Sequence, residues 1–331
     1  MIGFSEGFHD AAVAVVNDGK ICYASHSERY SKIKHDKHLD ITAASTAQLL
    51  CHDGKIAFYE RPWLKRTRQL FAGQKAWYRP RHLSLKPTQY YSHHKSHAAA
   101  AFQTSPFDEA AIVVVDSIGE WDTTSIWTAE YKDGKAVYKK RWSQWYPQSI
   151  GLWYSALTKW AGLRPLDEEY IFMGMAAFGN PVNMNVVEKQ LHKNNHKGAR
   201  LGDYDKCDIA KSAERILQLE LNNIFAKASQ YSKHICYGGG VALNCVVNTG
   251  LREMYNMWIM PCPGDAGGAL GAACLAYGKK VAFSPYLGYN IQKLCDPRRV
   301  VDALLKEKVV GVANGRAEFG PRALGNRSLL A

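Results

Sequence analysis

The first 28 residues alternate between short apolar runs and polar breaks: IGFS, then EGFHD, then AAVAVV, then Asp18-Gly19, then ICYASHSE. Asp-Gly between alternating apolar runs is a strong hairpin signal, so this stretch predicts strand, loop, strand, tight turn, strand. The same grammar returns from residue 111 as AIVVVD, SIGEWD, TTSIWTAEY, Asp133-Gly134 and KAVYKKRW. Two three-strand meanders, each with a polar loop after its first strand, predict a duplicated α/β fold whose two loops face each other. Helices are expected near 40–52, from about 94 to 103 in the alanine-rich run SHHKSHAAAAF, and near 149–161, 208–230 and 297–307. Strands are expected at HICYGGG and VVGVAN. FSPYLGYN reads as part of a linker over 284–295.

Composition narrows the class. With 47% hydrophobic and 11% aromatic residues in 331, the chain can bury two lobes and is not disordered or low-complexity. No apolar run is long enough for a membrane span, and the N-terminus lacks the basic-then-apolar order of a signal peptide, so a cytoplasmic protein with no membrane partner is expected. Eight cysteines without a CxxC pair read as small buried hydrophobes rather than disulfides. The net charge of +12 is uneven: Arg61 to Lys95 carries nine basic residues and no acid. Aromatics are interleaved with it, which suits either a nucleic-acid partner through residues 61–95 or a solvated basic face.

His93 and His97 are four apart, so on a helix they share one face and can share a metal, although an HxxxH pair is also common among ordinary core or surface histidines. Asp116 ends an apolar strand just after them, and Asp265 sits in a Gly-rich turn; two His and two Asp suit a borderline cation such as Fe²⁺, Mn²⁺ or Zn²⁺. Gly238, Gly239 and Gly240 follow a strand, and Gly267 and Gly268 flank Asp265 at a helix start. Such glycines are tight turns or leave N–H groups for a nucleotide. His9, beside Asp10 in the first loop, is either a general base or a structural histidine. Arg316, Arg322 and Arg327, crowded near Gly315, Gly320 and Gly325, form an oxyanion cradle or an exposed basic turn.

Taken together, FHDAAVAVV, SERYSKIKHD, FYERPWLK, HHKSHAAAAF, DSIGEWDTTS, EEYIFMGMAAFG, GGVALNCVVN, GDAGGALGAA and GRAEFGPRALGNRSLLA resemble the O-carbamoyltransferases of the nodulation, cephamycin and tobramycin type. The resemblance implies an actin/hexokinase-like ATPase domain of two ribonuclease-H-like lobes over 1–283, divided near residue 110. It also implies the start of a YrdC-like α/β domain over 296–331. It further implies that ATP and carbamoyl phosphate yield carbamoyl-adenylate, from which the carbamoyl group passes to a hydroxylated small molecule, nucleotide or nucleic acid. His93, His97, Asp116 and Asp265 would then hold Fe²⁺ or another divalent transition metal, with Mg²⁺ accompanying ATP. His9 would activate the acceptor, while Lys34, Gly119, Gly238 to Gly240, Asn244, Gly267 and Gly268 would contact nucleotide. Arg316, Arg322 and Arg327 would meet carbamoyl phosphate. Two departures stand out: Ile171 replaces the family's Lys after Glu169-Tyr170, and Ala331 falls just inside the YrdC-like domain. The second implies a fragment, a split gene product, or a separate chain supplying the rest. A tRNA threonylcarbamoyl transferase-like enzyme and a nucleotide-binding or nucleic-acid-binding module without turnover are the alternatives.

Overall fold

A computed structural model describes residues 1–74, 85–291 and 296–331. The first meander forms β1 (Ile2–Ser5), β2 (Ala12–Asn17) and β3 (Lys20–His26), turning at Gly19, where φ is +74°. After α1 (Glu28–Ser31) and α2 (Ile41–Leu50) come β4 (Ile56–Phe58), α3 (Pro62–Phe71) and β5 (Gln89–Tyr90). Helix α2 starts where expected because the Asp40 side chain accepts the Thr42 and Ala43 amides. The first sheet has the order β3-β2-β1-β4-β5, with the meander antiparallel and β4 and β5 parallel to β1.

The second half repeats this plan. Helix α4 (His93–Gln103) leads into β6 (Glu109–Gly119), β7 (Asp122–Lys132) and β8 (Lys135–Trp145). Helices α5 (Ile150–Trp160), α6 (Glu169–Met175), α7 (Met184–Leu191) and α8 (Lys206–Ser229) follow, then β9 (His234–Gly238), α9 (Cys245–Met254), β10 (Asn256–Ile259) and α10 (Asp265–Tyr277). The sheet order, β8-β7-β6-β9-β10, is the first order again with the same antiparallel meander and parallel pair. The fold is therefore the duplicated α/β architecture of actin-like ATPases. Its interior β6 residues Ala110 to Val115 are all buried, as a strand flanked on both sides requires.

Helices α4 and α10 pack against each other between the sheets with almost no side-chain padding. A Cβ on Gly271 would lie 1.8 Å from the Ser96 carbonyl oxygen of α4, and one on Gly3 of β1 would lie 2.1 Å from the Ala269 oxygen. Ala98 to Ala101 and Ala269, Ala272 and Ala273 are likewise buried, so small residues set the spacing on both helices.

Within 284–295, expected as a linker, Tyr286–Ile291 forms β11, while 292–295 lie outside the described residues. Strand β11 pairs with β13 (Gly315–Glu318); α11 (Pro297–Glu307), β12 (Val310–Ala313) and β14 (Arg327–Leu330) complete the segment, with β12 antiparallel to β14. Phe319 is fully buried in the core that contains Leu270 and Leu287. Seven cysteines are free thiols; Cys295 is outside the described residues. No described helix is long and apolar enough to cross a membrane.

The close approach makes a test. Gly271→Ala is expected to cost about 3 kcal/mol or to prevent folding, because backbone must move to admit one methyl. Gly174→Ala, on α6 with nothing within 4 Å of the added carbon, is expected to be neutral or mildly stabilising. Urea denaturation midpoints of the two variants check the contrast.

Candidate metal centre and active site

Because α4 and α10 converge at their first turns, four buried side chains meet there. His93 and His97 come from α4, Asp116 from β6 at the end of its buried run, and Asp265 is the first residue of α10. His93 Nε2 lies 2.9 Å from Asp116 Oδ2, 3.0 Å from His97 Nε2 and 3.3 Å from Asp265 Oδ1. His97 Nε2 lies 3.4 Å from Asp116 Oδ2 and 3.5 Å from Asp265 Oδ1. Metal–ligand bonds of about 2.1 Å separate neighbouring donors by roughly 3.0 to 3.4 Å, so these spacings fit a coordination shell. Two Nε2 atoms facing each other cannot both carry a proton at that distance, whereas two lone pairs can share a cation. The donor set therefore fits a divalent transition metal.

The charges of the cluster answer one another. Burial disfavours charge on His93, but Asp265 and Asp116 overcome it and hold its pKa well above the ordinary value. Burial likewise opposes ionisation of Asp116 and Asp265; His93 and His97 outweigh it at Asp116, and His93, His9 and His97 do so at Asp265, holding both carboxylates below the usual range. His94, adjacent in sequence, turns away to Ser125 Oγ at 2.7 Å, and burial drives its pKa well down.

An outer layer supports His93. Its Nδ1 lies 3.2 Å from Glu60 Oε2, and Glu60 is in turn bound by Lys65 Nζ at 2.9 Å, all three buried. A carboxylate on the far nitrogen of a ligand histidine fixes ring orientation and tautomer. Gly119 is required beside it, since a Cβ there would lie 2.5 Å from the His93 ring and 2.6 Å from that of His94.

His9 reaches the same centre from the first loop. Its Nε2 is 3.6 Å from Asp265 Oδ2 and its Nδ1 is 2.7 Å from Asp10 Oδ2. Burial lowers its basicity, and Asp265 and Asp10 more than restore it. Asp10 also accepts from His35 Nδ1 at 2.7 Å, and His35 Nε2 lies 3.2 Å from Asp167 Oδ1. Lys34 is ion-paired with Asp167, and its ammonium is 5.7 Å from the Tyr170 ring centre.

The glycines and Asn244 have structural partners in the same region. Gly239 has φ +91° and packs on the Val115 carbonyl; the Gly240 amide donates to Asp116 Oδ1 at 3.3 Å. Gly238 sits over the His97 carbonyl, Gly267 over that of Cys262, and Gly268 against the Tyr59 ring. Asn244 caps α9 by accepting the Val247 amide.

The sequence family described as Carbamoyltransferase N-terminus matches residues 75–202 and 182–274, more than half of the chain, and Carbamoyltransferase C-terminus matches 301–331. The chain belongs to the carbamoyltransferase family. An uncharacterized Synechocystis protein, sll1178, is 30% identical across all of this chain and 70% of its own length. Nodulation protein NolNO of Sinorhizobium fredii is 25% identical over 98% of the chain but only 58% of its own length. Among solved structures, component A of the Acidaminococcus fermentans (R)-2-hydroxyglutaryl-CoA dehydratase aligns with TM-score 0.46 at 15% identity, covering 84% of this chain and 97% of its own.

Elsewhere in this carbamoyltransferase-family chain, the basic residues are less free than their sequence suggests. Arg61 forks onto Glu120, with Nη2 2.7 Å from Oε2, and Arg68 is buried with Nε donating to the Glu120 carbonyl at 3.1 Å. Lys65, paired with Glu60, and Arg68 are buried and so depart from the expectation of a solvated basic face, while Arg61 stays half-exposed. Lys86 is exposed, whereas Lys75, Arg79 and Arg81 are outside the described residues. Near the C-terminal end Arg316 donates to the Gly288, Cys22 and Leu287 carbonyls. Arg327 Nε lies 2.8 Å from Glu318 Oε2, and Arg322 donates to the Leu243 carbonyl. The three arginines thus tie this segment to itself and to both lobes.

Glu60, Lys65, His35 and Asp167 were not singled out from sequence. The EK spacing in FYERPWLK has no helical period, and nothing local pairs residue 35 with 167. Lys65→Met is expected to cost about 3–5 kcal/mol, since it withdraws the ammonium from a buried carboxylate. Lys86→Ala should stay within about 0.5 kcal/mol. Thermal and urea unfolding of both variants provide the comparison.

Proposed function

We propose that this chain carries the transfer site of an ATP-dependent O-carbamoyltransferase: water cleaves carbamoyl phosphate to carbamate and phosphate, the carbamate displaces pyrophosphate from ATP to give carbamoyl-adenylate, and the carbamoyl group then passes to an acceptor hydroxyl. Family membership supports the reaction class, and the observation that carries the site is His9 Nε2 beside the four-donor cluster. In this reading His93, His97, Asp116 and Asp265 hold Fe²⁺ or another divalent transition metal, which supplies positive charge against phosphate or carbamoyl oxygen. Asp10 accepts the His9 Nδ1–H, leaving Nε2 unprotonated toward the acceptor. The acceptor oxygen attacks the carbamoyl carbon, the bond from that carbon to the AMP oxygen breaks, AMP leaves with the electron pair, and the acceptor proton goes to His9 Nε2. Lys34, the Gly238 to Gly240 turn and the start of α10 are assigned to nucleotide. Arg316, Arg322 and Arg327 are assigned to carbamoyl phosphate.

The metal assignment is tested without turnover. The purified chain should contain close to one transition metal, lost in His97→Ala and Asp265→Ala; full occupancy in both variants would sink it. Acidification should release the metal, because protonation of the two histidines competes with coordination.

For the base, His9→Asn is expected to slow carbamoyl transfer from supplied carbamoyl-adenylate by about 10²- to 10⁴-fold while sparing metal content. Water serves as the acceptor probe, and AMP release is the readout. A variant as fast as wild type would remove His9 from the chemistry.

A further inference from the structure

Three non-glycine residues in the left-handed backbone region gather around one histidine: Asp10 at φ 52°, His35 at φ 55° and Leu166 at φ 65°. Asp and His tolerate that conformation, but a leucine there is strained and must be held by its surroundings. The neighbour of Leu166 is Asp167, on the turn between α5 and α6 of the second lobe. His35 belongs to the first lobe, and its two nitrogens are divided between the lobes: Nδ1 on Asp10 at 2.7 Å and Nε2 on Asp167 at 3.2 Å. Both ring nitrogens can donate only from an imidazolium. The Asp10 hydrogen bond, outweighing partial burial and reinforced by Asp167, raises the His35 pKa in the direction this needs.

The loop bearing His35 also grips the loop bearing His9 through its backbone. Gly7 donates to the Lys37 carbonyl at 2.7 Å, Ala11 donates to that of Asp36 at 2.8 Å, and the His35 amide donates to Glu28 Oε2 at 3.1 Å. Lys34 pairs with the same Asp167 oxygen, Oδ1, that His35 faces, and Arg164 Nη2 lies 3.0 Å from the other, Oδ2. The result is one continuous line of polar contacts from Asp265 through His9, Asp10 and His35 to Asp167.

We infer that His35 is a positioning residue that fixes the His9–Asp10 pair against the second lobe, so that the orientation of His9 depends on a contact made across the lobes by Asp167. The inference rests on the reading of His9 as the acceptor's base. His35 touches neither the four-donor cluster nor His9 itself, so it acts only through Asp10.

Two measurements separate the inference from that reading. The first needs no activity: hydrogen exchange followed by mass spectrometry on Asp167→Ala. Loss of a carboxylate in the second lobe should speed exchange in segments 7–11 and 32–38 of the first by about tenfold, as in His35→Ala. Wild-type exchange in those segments would overturn the link whether or not carbamoyl transfer occurs. The second is hydrolysis of supplied carbamoyl-adenylate, with water as acceptor. His35→Ala should lower kcat by about 10- to 100-fold with KM within about twofold. His35→Asn tolerates φ 55° and keeps a donor where Nδ1 stands but has none for Asp167, so its rate should stay closer to that of His35→Ala than to wild type. Rates within twofold of wild type for both variants, or a wild-type rate for His35→Asn beside a slow His35→Ala, would overturn the positioning role. Lys280→Ala, which removes an exposed pair with Asp108, is the control expected to match wild type throughout.

Discussion

The contact between α4 and α10 is the constraint on which the site depends. Its spacing is set by backbone touching backbone, with Gly271 against Ser96 and Gly3 against Ala269. Larger residues at these positions would push apart two helices whose first residues are His93 and Asp265, and the 3.3 Å between those side chains would open with them. Close packing here serves both the core and the chemistry, because the interior transmits a displacement instead of absorbing it.

That arrangement places several charges where water does not reach, and each has an answering group. Glu60 lies between Lys65 and His93, Asp116 receives the Ser117 amide at 2.8 Å as well as the histidines, and Glu120 takes Arg61. Buried ions without such partners would cost several kcal/mol apiece. The layering also orients: Glu60 sets His93, and Asp10 sets His9. Preorganised side chains need not be reordered when charge develops on a reacting group, which is how a polar interior becomes useful chemically. The His97 Nδ1 is the exception among the cluster's ring nitrogens, buried without a hydrogen-bond partner.

Duplication explains why the site lies where it does. Each sheet has the order of the other, so each contributes a loop after its first strand: residues 6–11 with His9 in the first, and the end of β6 with Asp116 and Gly119 in the second. The two helices between the sheets supply the remaining ligands. One set of connections, used twice, brings four distant stretches of chain to a single point.

What the sequence determined by itself was local. The Asp-Gly turns, the Asp40 cap, the alanine-rich helix and the four-residue spacing of His93 and His97 are consequences of short-range backbone and side-chain preferences, and they formed as their residues dictate. Motif resemblance extended this to which distant aspartates would join the histidines. The fate of individual charges was settled by tertiary structure, because a partner far away in the chain decides whether a cation faces water. Lys65 and Arg68 read as part of a basic face and are buried. The pairing of His35 with Asp167 has no local signature at all, since it exists only where two lobes meet.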